Sequence, residues 1–153
     1  MPKKVHLADM LEPMQAMLKS GGTVNFNTNG TSMLPMLHNK GDRVILKQAD
    51  EPLKKYDLPL YQRADGAFVL HRVVKAEGTT YTMCGDNQYI LEKGVDHSQI
   101  IGVVTQFVRK GKTISVDNKL YIIYSRIWVF TRPLRAVYIK LRSLFYHLRK
   151  SDN

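Results

Sequence analysis

The N-terminal segment carries one apolar face at helical spacing. Its members are Leu7, Met10, Leu11, Met14, Met17 and Leu18, and the sequence S-G-G follows them at 20–22. Steps of three and four residues return a side chain to the same face of an α-helix, and glycines commonly end one. Pro13 lies inside the pattern, where it would kink the helix or start its second half. The pattern predicts a short N-terminal helix that packs on the rest of the protein.

Between about residues 23 and 116 the apolar period changes to the alternation typical of strands. Turn sequences separate the short apolar runs, for example A-D-G at 64–66 and E-G at 77–78. The predicted strands cover 23–28, 43–48, 57–62, 67–75, 80–85, 100–108 and 112–116. Short strands at such close spacing predict a mainly β protein with a rolled antiparallel sheet or small β-barrel.

From Lys119 the period is helical again. One face is apolar and another carries arginines; the apolar face consists of Leu134, Val137, Tyr138, Leu141, Leu144, Phe145 and Leu148. The sequence T-R-P at 131–133 should divide this segment into two helices, with Pro133 well placed to open the second. We therefore predict a β domain at 1–118 and a basic, amphipathic helical tail at 119–153.

Charge distinguishes the two parts. The chain of 153 residues has a formal net charge of +10, and residues 119–153 hold eight Lys or Arg against one acidic residue. A basic tail of this kind indicates an anionic partner, either a membrane surface or a nucleic acid. No uncharged apolar run reaches the roughly 18 residues of a membrane-spanning helix, and we see no secretory signal. We expect a peripheral membrane-associated or cytoplasmic protein.

The strongest chemical signal is a serine in the sequence G-T-S-M-L-P-M-L at 30–37, followed by G-D-R-V at 41–44. Gly30 and Pro35 place Ser32 in a tight, irregular loop, which can expose its hydroxyl and aim backbone N–H groups at one point. The motif resembles the nucleophile box of type I signal peptidases and the related self-cleaving repressors. The resemblance implies that Ser32 is a nucleophile and that Gly30, Met33 and Pro35 shape its loop and the oxyanion site.

A histidine interrupts the apolar strand sequence F-V-L-H-R-V-V at 68–74. Bacterial members of the family usually carry a lysine base here, whereas the endoplasmic-reticulum and archaeal signal peptidases carry His-Arg. His71-Arg72 resembles this second type, which implies that His71 is the general base. An imidazole has an ordinary pKa of about 6.5 and can accept the serine proton at neutral pH.

Two aspartates compete for the role of the acid that orients His71. The sequence M-C-G-D-N-Q at 83–88 resembles the Gly-Asp-Asn box of the family, and V-D at 95–96 precedes its I-I-G strand. Spacing alone does not choose between Asp86 and Asp96. The His-type relatives imply Asp96 as the triad acid, with Asp86 supporting the site, although Gly-Asp-Asn is also an ordinary turn sequence.

Together these motifs predict a serine endopeptidase of the signal-peptidase type. It would cleave signal- or leader-like peptides after small residues, need no metal or cofactor, and meet an anionic membrane through residues 119–150. The alternative is a catalytically inactive peptidase-fold module that binds a peptide or a membrane partner. Nucleic-acid binding by aromatic residues of the tail is not expected, because the aliphatic stripe is too continuous for a solvated arm. The single Cys84 has no second cysteine or Cys/His cluster for a metal site.

Overall fold

A computed structural model describes residues 10–38, 41–50 and 52–151, with the backbone alone at 139 and 143–151. The protein is mainly β, with a curled half-barrel antiparallel sheet, a short N-terminal helix and C-terminal helices. The predicted fold class is therefore confirmed. In chain order the elements are α1 (Leu11–Lys19), β1 (Val24–Asn27), β2 (Arg43–Lys47), β3 (Pro59–Gln62), β4 (Phe68–Leu70), β5 (Arg72–Glu77), β6 (Thr80–Cys84), β7 (Glu92–Asp96), a 3-10 helix (His97–Gln99), β8 (Ile100–Arg109), β9 (Lys112–Ser115), α2 (Lys119–Phe130) and α3 (Arg132–Ser151).

The strands form two antiparallel sheets. The larger sheet has six strands in the order β1-β2-β8-β3-β4, with β9 also paired to β8. The smaller sheet has three strands in the order β5-β6-β7. In the smaller sheet Arg72 pairs with Cys84 and Glu92 pairs with Met83, whereas Asp96 pairs with Thr80. We call the end that carries the Arg72–Cys84 and Glu92–Met83 pairs the site end. The end that carries the Asp96–Thr80 pair is the far end.

The strand predicted over 67–75 is in fact two strands that belong to different sheets. Strand β4 ends at Leu70 in the larger sheet, and β5 begins at Arg72 in the smaller one. His71 is the single residue between them, so the chain changes sheets at the predicted base. The apolar period continues through this break and therefore hides it.

Strand β7 was absent from the predicted set. Its sequence E-K-G-V-D contains one apolar side chain that is buried, Val95, and its other residues are half-buried or exposed. A mostly polar strand at the edge of a sheet gives almost no alternation signal, and glycine weakens the signal further. Pairing with β6 in the tertiary structure is what makes this segment a strand.

Two apolar clusters fill the protein. The first packs the Ser32 loop and α1 against the larger sheet, and includes Met14, Leu18, Met33, Met36 and Leu37. The second contains Leu53, Tyr61, Val73, Tyr81, Met83 and Val95, which come from both sheets and the chain between β2 and β3. The predicted face of α1 is buried only at some positions, because Met10 and Met17 are exposed and Leu7 lies outside the described residues.

The tail forms two helices, as predicted, with Thr131 between them. The side chain of Asn118 caps α2 by accepting hydrogen bonds from the N–H groups of Leu120 and Tyr121. Tyr121 and Ser125 of α2 are buried, and Tyr121 belongs to the first apolar cluster. Within the described residues, no helix is both long enough and apolar enough to cross a membrane.

Candidate active site

Ser32 lies in a loop that is held in place by buried apolar side chains. Met33, Met36 and Leu37 are buried in the larger apolar cluster, while Ser32 itself is half-buried. Gly30 has a φ of +93°, a conformation that side-chain-bearing residues rarely adopt. The sequence therefore folds into a loop whose methionines point inward and whose serine stays near the surface.

The buried carboxylate of Asp42 closes the same loop at its far side. Asp42 Oδ2 accepts a hydrogen bond of 2.8 Å from the His38 N–H, and its backbone oxygen accepts one of 3.1 Å from the Thr28 N–H. Residues 28 and 42 thus lie side by side at the base of the loop. This explains the Gly-Asp that follows the serine motif in the sequence.

The loop meets the turn at 85–88. Asn87 N donates to the Ser32 backbone oxygen at 2.8 Å, and Asn87 Nδ2 donates to the Thr31 oxygen at 3.1 Å. A Cβ at Gly85 would stand 2.6 Å from the Ser32 oxygen and 3.1 Å from His71 Nε2. No side chain fits there, so glycine is what allows the Ser32 loop and His71 to approach each other.

Ser32 and His71 therefore converge on the same turn, although within the described residues no hydrogen bond joins Ser32 Oγ to His71 Nε2. Catalytic hydrogen bonds are often long before a substrate binds. Neither the hydroxyl nor the backbone N–H of Ser32 is used by the hydrogen bonds among the described residues. Ser32 as a whole is half-buried.

His71 is almost completely buried, with 4% of its surface exposed. Burial, and then the positive charge of Arg63, lower its pKa from the ordinary 6.5 to about 4, while the carboxylates of Glu92 and Asp86 oppose that shift. His71 is therefore neutral at pH 7, which is the form a general base needs. The pKa is lower than the ordinary value that the sequence alone predicts.

The polar contact of His71 within the described residues is a tyrosine rather than an aspartate. Tyr61 Oη lies 3.4 Å from His71 Nδ1, and the two rings meet edge to face with centroids 6.3 Å apart. Tyr61 Oη also donates to Glu92 Oε2 at 2.7 Å. Glu92 in turn forms a two-point ion pair with Arg63. A chain of hydrogen bonds through Tyr61, Glu92 and Arg63 therefore lies on the Nδ1 side of His71.

Sequence reasoning missed these three residues. Tyr61 lies in an apolar strand, Glu92 begins the strand that was not predicted, and Arg63 follows β3. They come from two sheets and meet only in the fold. The signal in the sequence was a tyrosine in a predicted strand, because a buried hydroxyl needs a hydrogen-bond partner. The structure shows that this strand is buried at three of its four positions.

Asp86 is a buried partner of Arg72. The two side chains form a two-point ion pair with distances of 2.8 and 2.7 Å, and their exposed fractions are 2% and 1%. Arg72 also donates to Tyr121 Oη at 2.9 Å. Arg72 also contacts Met36 Sδ in the serine loop at 3.0 Å. The arginine of the His-Arg pair thus joins the Gly-Asp-Asn turn to that loop.

Helices α2 and α3 complete the surroundings of Asp86. Tyr124 Oη donates to Asp86 Oδ2 at 3.1 Å, and both Trp128 Nε1 and Arg135 donate to its backbone oxygen, at 2.8 and 2.9 Å. The Arg135 guanidinium also lies 3.8 Å from the centre of the Trp128 ring. The beginning of the tail is therefore packed onto the turn that contacts Ser32, across the boundary predicted at 118.

Asp96 lies at the far end of the smaller sheet. It is four positions along β7 from Glu92, a distance of about 13 Å in an extended strand. Its carboxylate accepts hydrogen bonds from Ser98 N at 2.9 Å and Ser98 Oγ at 2.6 Å, and it caps the 3-10 helix. These bonds lower the pKa of Asp96. Of the two predicted acids, neither forms a hydrogen bond with His71 within the described residues.

Cys84 is buried beside the turn, and burial raises the pKa of its thiol. The described part of the chain brings no three His, Cys, Asp or Glu side chains together as metal ligands would be.

Comparison of the chain with protein-family models and with curated proteins finds no match. The assignment of an activity thus depends on the residues and their geometry.

Proposed function

We propose that the protein is a serine endopeptidase in which Ser32 is the nucleophile and His71 the general base. The observation that carries the proposal is the convergence at Gly85, where the Ser32 backbone oxygen and His71 Nε2 both approach the same point within 3.1 Å. A neutral, buried imidazole beside an accessible serine loop is the pair that acyl transfer requires.

The chemistry follows from this pair. Ser32 Oγ would attack the carbonyl carbon of the scissile peptide while its proton passes to His71 Nε2, and His71 would then give that proton to the leaving amine. The N–H of Ser32 and a neighbouring N–H would donate to the oxyanion. Water would release the acyl group from Ser32 with His71 again as base.

The substrate is proposed from the resemblance of the three motifs to signal peptidases. It would be an extended peptide of signal or leader type with small residues before the cleaved bond. An extended segment can pair with main-chain groups at a strand edge, which gives affinity without demanding a particular sequence.

The direct test is cleavage of a peptide library by the wild type and by Ser32→Ala, followed by mass spectrometry. The wild type should cut after small residues, and Ser32→Ala should lose at least roughly 10³-fold in kcat/KM. Ser20→Ala is the matched control, since Ser20 is an exposed serine that only caps α1. Equal activity of Ser32→Ala and wild type would overturn the assignment. A wild type that binds leader peptides but cuts none would favour an inactive binding module.

We infer in addition that the tail rests on an anionic membrane surface. An exposed apolar stripe runs along α2 and α3, and it consists of Leu120, Ile123, Ile127, Phe130, Leu134, Val137, Tyr138 and Leu141. Its spacing stays in phase across Thr131, and the exposed side chains of Arg126, Lys140 and Arg142 lie on the same helices. Apolar side chains would enter the acyl boundary, while each basic residue near the surface contributes about 1 kcal/mol.

Co-sedimentation with phosphatidylserine vesicles tests this location. The double variant Leu134→Glu/Leu141→Glu should stay in solution at low salt while the wild type pellets, because two charges oppose burial of the stripe. Met17→Glu is the control, since Met17 is exposed to about the same degree as Leu141 but lies on α1. Truncation before α2 is unsuitable, because it would also remove the contacts of Tyr121 and Trp128 with the β domain. Equal binding by the double variant would refute the membrane location.

A further inference from the structure

The direction of the hydrogen bond between Tyr61 and Glu92 is fixed by charge. The hydrogen bonds from Arg63 keep the pKa of Glu92 below its ordinary value, so its carboxylate is ionised. An ionised carboxylate can only accept. The single hydroxyl hydrogen of Tyr61 must therefore point to Glu92 Oε2, at 2.7 Å.

That direction decides which His71 nitrogen carries the proton. The Tyr61 hydrogen is already used, so its oxygen can act toward His71 Nδ1 only as an acceptor, across 3.4 Å. Nδ1 of the neutral imidazole then carries the hydrogen, and Nε2 has the lone pair. Nε2 is the nitrogen that lies near the Ser32 backbone and Gly85.

We propose that Tyr61 and Glu92 are positioning residues that hold His71 as the Nδ1–H tautomer, with its basic Nε2 directed at the Ser32 loop. The catalytic use of this tautomer rests on the proposed function, whereas the tautomer itself does not. Arg63 keeps Glu92 ionised and so belongs to the same chain of contacts. The Tyr61–Glu92 pair takes the place that a direct carboxylate partner occupies in a Ser-His-Asp triad.

The proton balance of the step is simple. During attack the Ser32 hydroxyl proton moves to Nε2, and the imidazolium formed keeps its Nδ1–H directed at Tyr61. Tyr61 keeps its own proton, because burial and Glu92 hold its pKa far above the ordinary value. Glu92 remains ionised and stabilises the imidazolium charge through the tyrosine dipole and directly through space.

A second tyrosine–histidine pair in the protein serves as an internal control. Tyr81 Oη lies 2.8 Å from His97 Nδ1, with ring centroids 6.0 Å apart. Here the tyrosine oxygen accepts from the Leu53 N–H at 3.0 Å. Among its partners in the described residues, the Tyr81 hydrogen can then be donated only to His97 Nδ1. His97 should consequently be the Nε2–H tautomer, opposite to His71.

The experiment is long-range nitrogen–proton NMR of the imidazole rings in the full-length, ¹⁵N-labelled protein at pH 7, where a protonated and a bare ring nitrogen have clearly different shifts. In the wild type, Nδ1 of His71 and Nε2 of His97 should each appear protonated. Tyr61→Phe should shift His71 toward the other tautomer and leave His97 unchanged. Tyr81→Phe should change His97 and leave His71 unchanged. A wild-type His71 protonated at Nε2, or a His71 tautomer unaffected by Tyr61→Phe, would overturn the proposal.

Activity measurements separate this proposal from the proposed function. A histidine base held in the wrong tautomer loses about 10⁴-fold in kcat. Tyr61→Phe leaves an unanchored ring, so we expect kcat to fall at least roughly 10-fold with KM unchanged, and Tyr81→Phe to change neither. If the NMR result holds while Ser32→Ala cleaves like wild type, the endopeptidase is refuted and the tautomer assignment stands. If Ser32→Ala is inactive but Tyr61→Phe alters neither kcat nor the spectrum, the positioning role is refuted and the endopeptidase stands.

Discussion

The two tyrosine–histidine pairs have almost the same shape and very different surroundings. In both, a buried tyrosine hydroxyl faces Nδ1 of a histidine, with interplanar angles of 63° for Tyr61–His71 and 62° for Tyr81–His97. The first pair lies at the site end of the smaller sheet with Glu92 and Arg63 behind it. The second lies at the far end, where a backbone N–H takes the place of the carboxylate.

A tyrosine hydroxyl thus does not set a histidine tautomer by itself. Because the hydroxyl can donate or accept, its third partner decides the direction of the whole chain of hydrogen bonds. An ionised carboxylate takes the hydroxyl hydrogen away from the histidine, whereas an N–H leaves that hydrogen free to be donated to the histidine. On the proposed assignment, the two histidines carry their protons on opposite ring nitrogens.

The largest expected contrast is catalytic. His71→Gln should lower kcat/KM for a leader peptide by at least roughly 10³-fold, because the base is lost, while His97→Gln should stay within about threefold of wild type. Both values come from the same mass-spectrometric cleavage assay. Similar losses in the two variants would mean that histidine substitution acts through folding rather than through the site.

The two aspartates provide the next contrast, in stability. Asp86→Asn removes one partner of a buried ion pair, and we expect a loss of about 3–5 kcal/mol in the free energy of unfolding. Asp96→Asn changes an exposed capping residue to another good one, so its effect should be below about 0.5 kcal/mol. Urea unfolding followed by Trp128 fluorescence measures both. A kinetic defect in Asp96→Asn without loss of stability would restore Asp96 as the orienting acid.

Acid pH should reveal the buried histidine. Unfolded, His71 binds a proton below about pH 6.5, whereas in the folded protein it does so only near 4. The contribution of neutral His71 to the free energy of unfolding is therefore fully present above about pH 6.5. It falls by about 3 kcal/mol as the pH drops toward 4. His71→Gln should abolish this loss, and His97→Gln, which retains His71, should keep it. The acid limb of kcat/KM should likewise lie near pH 4, and a limb at 6–7 would contradict the burial of His71.

The smallest expected effect comes from Arg63. Its charge lowers the pKa of His71, whereas Glu92 raises it. Arg63→Met should therefore raise the pKa of His71, and Glu92→Gln should lower it. Each shift should correspond to no more than roughly 1 kcal/mol, because Arg63 is partly exposed to screening solvent. Proton NMR titration of the His71 ring measures both, with His97 as the internal reference. Shifts of the same sign would show that the variants rearrange the site.

Features that depend on local pattern could be predicted from the amino-acid sequence alone. Alternation predicted most of the strands, and helical spacing predicted α1 and the two helices of the tail, since side-chain periods of 2 and 3.6 are intrinsic to these backbones. Gly30, Ser32 and Pro35 indicated an irregular loop, and Gly-Asp-Asn at 85–87 was compatible with a turn. Each of these features can be recognised from a residue and its immediate neighbours along the chain.

The surroundings of His71, in contrast, depend on the tertiary fold. Glu92 is separated from Tyr61 by 31 positions in the chain and from Arg63 by 29, and strand β7 has no pattern of its own until it pairs with β6. Asp86 and Asp96 look equivalent in the sequence, but one is buried against Arg72 and the other caps an exposed turn. Ionisation, tautomer and pKa depend on distances between groups from different strands and on the removal of water. Those quantities exist only once the two sheets have packed together.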